Sequence, residues 1–163
     1  MTQIFNRHFT TQQGFTLLEA MVALLIFSVG LLGLAGMQAA GIGQNKAALD
    51  RTVATQLSYD MAEQVRSNRA GYSAGNYNNL TNTTVTCDPC GSSDSIQAQQ
   101  FRNWFTALSS ELPSGQGRVT SGGPGLPVII TVFWDGDRTG ATGTGCNPAV
   151  ATDLRCTIST VLP

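Results

Sequence analysis

Hydrophobic and polar positions follow different rules along this chain, and each rule predicts a different element. Residues 20–45 contain no Asp, Glu, Lys, Arg or His, and about 20 apolar residues suffice to cross a bilayer core as a helix. Past that run the pattern becomes one-sided. Leu49, Val53, Leu57, Met61 and Val65 recur every fourth residue, with Asp50, Arg51, Asp60, Glu63 and Arg66 elsewhere around the cylinder, which predicts an amphipathic helix continuing the apolar segment. Glu63 and Arg66 are three apart and can pair on its exposed side for a few tenths of a kcal/mol. Gly71 is the predicted stop. One helix is therefore expected from about residue 15 to about residue 70, roughly 80 Å long if straight. Gly30, Gly33, Gly36, Gly41 and Gly43 fall inside it. Each lowers helix stability by about 0.8–1 kcal/mol relative to Ala, which is tolerable in lipid, where melting exposes unsatisfied backbone. Small residues also allow close packing between helices.

Residues 71–93 are rich in Asn, Thr, Ser and Gly and read as a long loop. A second helix follows. Asp94 with Gln97 three positions later makes a capping pattern, and Phe101, Trp104, Phe105, Leu108 and Leu112 form one apolar face before Pro113 breaks the run. We read those aromatics as core. Strands are predicted at 117–120, at Val128–Trp134, where β-branched residues dominate, and at 156–162, with a Gly-, Thr- and Asn-rich loop over 135–155. One long helix, a loop with a short helix, then a small antiparallel sheet is an α+β architecture.

Composition narrows what such a chain does. Lys and Arg number 9 against 10 Asp and Glu, and charged residues make up 12% of the total, low beside the usual quarter or so. No basic excess exists with which to wrap nucleic acid. The part beyond residue 45 has room for one modest core. The sole histidine is His8, so no Ser-His-Asp or Cys-His arrangement can form in the later part of the chain, and neither enzymatic activity nor a cofactor is expected. Asp135, Gly136 and Asp137 invite a calcium reading, because carboxylates around a glycine gather oxygen ligands. A tight turn after a strand wants the same residues, and the full ligand spacing of a calcium loop is missing. The turn is preferred, and no metal is expected.

One acid stands at the mouth of the apolar run. A carboxylate in hydrocarbon is costly and normally persists only with a partner or a function, and Glu19 holds that position. A secretory signal would account for the apolar middle and for Ala35, Ala39 and Ala40 as cleavage sites, but it wants a positive start and a clean apolar core. Here Arg7 and His8 are followed by an acid at the core's edge. A plain single-span anchor would leave Glu19 marking the interface. The string Gly14-Phe15-Thr16-Leu17-Leu18-Glu19-Ala20-Met21-Val22-Ala23-Leu24-Leu25 resembles the class III signal of type IV pilins and pseudopilins, in which a glycine precedes an aromatic and a glutamate stands five residues after the cut. The resemblance implies that residues 1–14 are a cytoplasmic leader removed by prepilin peptidase between Gly14 and Phe15. Phe15 then becomes the N-methylated terminus. Residues 15–45 stay as the transmembrane and assembly half of the long helix, and 46–163 form a periplasmic head that includes its amphipathic half. Loss of the leader removes Arg7 and leaves 8 basic residues against 10 acids; one Arg is fewer than many family leaders carry. In a bundle of such helices Glu19 meets the amine of Phe15 on a neighbour, pairing two charges that are each expensive alone and setting axial register.

An exported head faces an oxidising compartment, where four cysteines imply disulfides and allow three pairings. The two close-spaced pairs suggest local bridges, Cys87–Cys90 and Cys146–Cys156. The second would close a loop of about eleven residues and contribute about 2–3 kcal/mol on the chain-entropy account. The two-residue gap between Cys87 and Cys90 also fits a redox pair or half a zinc site, without the second Cys-x-x-Cys or histidine that such a site wants. A crossed arrangement, each loop cysteine bridged to one near the C terminus, stays open.

The resemblance narrows further along the chain. Met61-Ala62-Glu63-Gln64-Val65-Arg66-Ser67-Asn68 resembles the helix end of PilV-type minor pilins, which precedes a tyrosine-bearing loop, here with Tyr72 and Tyr77. Trp104, then Leu112-Pro113-Ser114-Gly115, then a strand ending on Trp134-Asp135 resemble that group's helix tryptophan, Leu-Pro-x-Gly turn and strand end. The tight Cys87 to Cys90 gap departs from the pattern. What the resemblance implies is a type IV pilin fold and a minor pilin that joins other minor pilins and the major pilin in priming pilus assembly, at or near the filament tip, with a large tip adhesin as a further candidate partner. Such a chain spans the inner membrane once with a periplasmic head, and reaches the cell surface in the pilus. Two competing readings are a minor pseudopilin of a type II secretion system, which shares the signal and helix, and a tip module for adhesion or DNA binding. The weakly charged surface disfavours nucleic acid as a partner.

Overall fold

The computed structural model describes residues 14–81, 95–143, 145–147, 149–150 and 153–163. The chain divides into two compact units, Met1–Gln44 and Asn45–Pro163. Helix α1, Leu17–Ser67, runs through the boundary. In the first unit it is apolar all round and exposed at every residue from 17 to 40. Its mean hydropathy reaches 2.4 over 18 residues, long and apolar enough to cross a membrane. The helix is unbroken through its five glycines, each of which faces open space.

The second unit is built on one stripe of α1. Asp50, Ala54, Leu57, Ser58, Met61, Ala62 and Val65 are buried, the mixed three- and four-residue spacing of a helix that keeps a constant face to its core. The expected fourth-residue stripe is corrected at its beginning: Leu49 is 60% exposed and Asp50 is buried. Four residues advance a helix by 400°, so strict fourth-residue spacing drifts about 40° per step and carries Leu49 off the face that Val65 occupies.

The helix ends earlier than predicted. Asn68 leaves helical geometry, and its side-chain Oδ1 accepts a hydrogen bond from the Gly71 amide at 3.1 Å, the side-chain competition with backbone that makes Asn a helix breaker and cap. A short helix α2, Arg69–Ser73, starts there. Gly71 is therefore inside α2 and is not the stop. Tyr72 and Tyr77 fasten the chain beyond: the Tyr72 hydroxyl donates to the Leu126 carbonyl at 2.6 Å, and the buried Tyr77 hydroxyl donates to Gln100 and accepts from Asn68. Burial pushes the Tyr77 hydroxyl above its ordinary pKa, against the opposing pull of the Asn68 amide.

Four strands form one antiparallel sheet in the order β1-β2-β3-β4, namely β1 Leu80–Thr81, β2 Gln116–Ser121, β3 Val128–Trp134 and β4 Arg155–Val161. The two-residue β1 lies in what the sequence read as loop. It pairs Leu80 with Val119 and Thr81 with Arg118, a span too short to show a period. Between β1 and β2 comes α3, Ile96–Glu111, with Ser95 at its N-cap; Asp94 lies outside the described residues. Long helix, short helix and small sheet make this the α+β type IV pilin fold.

The inner face of the sheet presents Val119, Val128, Ile130, Val132, Trp134 and Val161 to the same core as the α1 stripe and the apolar face of α3. Trp104 joins all three. Its Nε1 donates to the Leu57 carbonyl of α1 at 2.7 Å, Phe101 meets its ring edge-on at 5.4 Å, and the ring lies where a Cβ on Gly117 of β2 would stand. On the outer face Phe133 packs with Ala141 and Leu154 in a second cluster, and the Arg118 guanidinium sits 5.4 Å from its ring centre.

Gly117→Ala is expected to destabilise the head by about 1–3 kcal/mol, the cost of overpacking a filled site. Chemical denaturation of the full chain in detergent, followed by tryptophan fluorescence, measures it; a midpoint equal to that of the parent would mean that Trp104 has room to move.

Candidate functional site

The residues around Gly14 acquire their geometry from the start of α1. Gly14, Phe15 and Thr16 precede the helix, which begins at Leu17. The Thr16 hydroxyl accepts a hydrogen bond from the Glu19 amide at 3.2 Å, and the Thr16 carbonyl takes the Ala20 amide at 3.3 Å. Thr16 is thus the N-cap, satisfying a donor that the first helical turn otherwise leaves open. The sequence reading passed over this residue, although Thr-x-x-Glu before an apolar run is the capping-box signature.

Glu19 lies in that first turn, where a carboxylate opposes the positive end of the helix dipole. It is exposed and makes no ion pair among the described residues. Phe15 is 85% exposed. Gly14 is also exposed, and a Cβ built on it meets nothing within 4 Å. Packing among the described residues therefore imposes neither the glycine nor the aromatic, and an exposed stretch outside helix and strand leads into a capped helix. Residues 1–13 are outside the described set.

In the head, the structure joins Cys146 to Cys156, with Cα atoms 5.5 Å apart, inside the usual range for a bridge. Neither is then free for a crossed pairing. Cys87 and Cys90 lie outside the described residues. The bridge anchors the loop after β3 to the outer face of β4, beside Phe133, whose register partner is Cys156.

Asp135 and Asp137 are used in different directions. The buried Asp135 carboxylate accepts from the Thr139 amide at 3.1 Å, the Gly140 amide at 2.7 Å and the Thr139 hydroxyl at 3.4 Å. Burial pushes its carboxyl up, but the donors of Gly140, Thr139 and Arg138 outweigh it and hold the group below its ordinary value. Asp137 instead takes the Arg155 Nη2 on both oxygens, at 3.0 and 3.1 Å. The Asp135 bonds, to residues four and five positions on, are those of a turn, whereas the Asp137–Arg155 ion pair ties that turn to β4. No cluster of three His, Cys, Asp or Glu that could hold a metal occurs among the described residues. At the end of α1 the Arg66 Nη1 pairs with Glu63 on the exposed side, a contact of small energetic weight.

A family model for the prokaryotic N-terminal methylation motif matches residues 10–35. No curated protein and no solved structure matches the chain. The matched residues hold Gly14, Phe15, Thr16 and Glu19, and the motif points to a structural protein rather than an enzyme.

The lowered Asp135 carboxyl sets the sign of one pH dependence. A group whose folded pKa is depressed contributes stability that is full above its unfolded value and is lost as pH falls through the folded one. Asp135→Asn is expected to cost about 1–3 kcal/mol at neutral pH and to flatten the acid limb of the stability curve below pH ~4. Denaturant unfolding from pH 7 to pH 3 measures both, and an unchanged acid limb would remove Asp135 as its source.

Proposed function

The chain is type IV pilin-like, and from that premise we propose that it works as a minor pilin, one of a complex of minor pilins that primes type IV pilus assembly and sits at the filament tip. The observation that carries this reading is the methylation motif over residues 10–35, set on an apolar helix exposed at every residue from 17 to 40 and continuous with the helix that seats the head. An exposed apolar face of that extent needs lipid or other helices around it. Prepilin peptidase removes residues 1–14, Phe15 is methylated, and the chain waits in the inner membrane with its head in the periplasm until it is drawn into the fibre. The likeness of residues 61–68, Trp104, the Leu112-Pro113-Ser114-Gly115 turn and Trp134-Asp135 to PilV-type minor pilins supports the choice of a minor subunit.

Charge logic gives Glu19 and Phe15 their roles. After cleavage the Phe15 amine stands one residue before the Thr16 cap, at the positive end of the α1 dipole, where a positive charge is disfavoured. A Glu19 carboxylate on a neighbouring helix relieves that amine, and the amine relieves a carboxylate that apolar surroundings penalise. Capping and pairing are separable. Glutamine serves the capping box as well as glutamate does, but it carries no charge.

Glu19→Gln is therefore expected to insert and be cleaved normally, yet to enter pili at about one tenth of the normal level or less, because breaking a buried pair costs about 3–5 kcal/mol. Immunoblots of membranes and sheared pili measure it; normal incorporation would reduce Glu19 to a capping residue. Deletion of the gene is expected to remove surface piliation and twitching while leaving exoprotein secretion intact, as scored by pilus yield, stab-agar motility and culture-supernatant protein. The opposite result would establish a type II secretion pseudopilin instead.

A further inference from the structure

Between α1 and β4 the head holds a cavity of about 280 Å³ whose lining includes Arg51, Thr55, Trp134, Arg155 and Thr157, together with the bridged cysteines. A smaller one of about 70 Å³ adjoins it and shares Arg51, Trp134 and Arg155. Two arginines thus line one hollow that has no carboxylate in its own lining, while the hollows that share them bring in Asp60 beside Arg51 and Asp135, Asp137 and Asp153 beside Arg155. Among the described residues, the acid that pairs with either arginine is the Asp137 carboxylate. That carboxylate is taken by Arg155 through one nitrogen, Nη2. Arg51, exposed on α1, has no ion-pair partner among the described residues. Of the two arginines in the lining of the hollow, Arg51 is the one left to receive an anion.

Its walls indicate what kind of molecule supplies the missing anion. Arg155, Cys156 and Thr157 all line it, although consecutive strand residues point to opposite faces. A cavity touched by all three runs around the edge of β4. In the order β1-β2-β3-β4 that edge has no strand partner among the described residues, and an unpaired strand edge is a template for polypeptide backbone. Further along, the Ser58 and Ser159 hydroxyls meet at 2.8 Å and close the gap between α1 and β4. The hollow therefore cannot take a long added strand. At about 280 Å³ it lies just below the range of about 300–1,000 Å³ usual for small-molecule pockets, a volume suited to one side chain with its own backbone.

We propose that this groove is a docking site for an Asp or Glu side chain on the head of a neighbouring pilin-like subunit. The guanidinium of Arg51, the hydroxyls of Thr55 and Thr157 and the bare edge of β4 together receive the carboxylate and the backbone that carries it. Guanidinium is suited to this task because its planar donors match a carboxylate. The inference rests on the assembly reading above, and it names a contact made by the head, separate from that of Glu19.

The test uses the full chain in assembling cells, with a photo-crosslinking amino acid in place of Thr55, which is exposed, or in place of Val29 in the apolar half of α1. Crosslinked peptides are identified by mass spectrometry. Thr55 is expected to capture an acid-bearing segment of another subunit's head. Arg51→Glu is expected to reduce that product by about tenfold or more, Arg51→Lys to restore part of it, and both to leave the Val29 crosslinks unchanged. Capture of a segment without an acid, indifference to Arg51→Glu, or no capture at Thr55 while Val29 crosslinks form would overturn the docking site and leave the assembly reading standing. Absence of subunit crosslinks at both positions in the otherwise parental chain would overturn both.

Discussion

The second unit of this protein depends on one indole. Trp104 lies where the long helix, the short helix α3 and the sheet converge, and it satisfies a constraint from each. Its ring fills the space over Gly117 of β2, its edge receives Phe101, and its Nε1, which would be costly to bury without an acceptor, finds the Leu57 carbonyl of α1. A carbonyl inside a helix already accepts one bond from its own chain, and its second lone pair serves here. The tryptophan therefore ties α3 to the backbone of α1 rather than to a replaceable side chain. The buried stripe of α1 then needs to supply only shape, which explains how it accommodates Ala54, Ser58 and Ala62 beside Leu57, Met61 and Val65.

Most of this architecture was legible in the pattern of residues, and the places where it was not have physical reasons. The β-branched run of Val128–Trp134 matches the observed strand, and α3 buries Phe101, Trp104 and Leu108 as its periodicity implies. The missed features are those whose signal is carried by a side chain's local bond or by a partner distant in sequence. Asn68 ends α1 because its side-chain oxygen accepts from the Gly71 N–H, whereas the glycine three residues later carries the stronger general stop signal. Strand β1 has only two residues and exists because Val119 and Arg118 are there to pair with it. Asp50 is placed off the apolar stripe by fourth-residue spacing, yet it falls on the constant face of a helix whose true repeat is shorter than four. At the N terminus the signal itself was plain, whereas the capping role of Thr16 was hidden by the more conspicuous glycine and glutamate on either side.

The two units meet opposite demands with one continuous helix. In the head a helix needs one apolar stripe, and the remaining faces of α1 carry Arg51, Asp60, Glu63 and Arg66, in accord with water around them. Residues 17–40 have no polar face to offer water, and five glycines stand within or just beyond them in unbroken helix with open space on every side. Backbone hydrogen bonds in that stretch are secure only where water is excluded, since glycine favours melting once water can replace them. The same residues that leave the helix intact in lipid therefore mark where it can soften outside lipid, while the head, held through Trp104 and the Ala54–Val65 side of α1, has no comparable run of glycines in its part of the helix.

The outer face of the sheet shows how a weakly charged head keeps its long loop in place. Phe133 would be exposed on that face if the chain between β3 and β4 were free to leave. Instead the segment is fixed at both ends. Near its start the Asp135 carboxylate gathers the Thr139 amide and hydroxyl and the Gly140 amide; near its end Cys146 is bridged to Cys156, the residue beside Phe133 in the register. Ala141 and Leu154 then cover the ring. The apolar cover comes from only these few residues, and a charged turn and a covalent bond supplement it. The bridge ends on β4 at Cys156, between Arg155 and Thr157, which are themselves held by their register partners Trp134 and Val132 on β3. The wall of the groove facing Arg51 is thus set by the β3–β4 ladder, with the disulfide fastening the loop beside it.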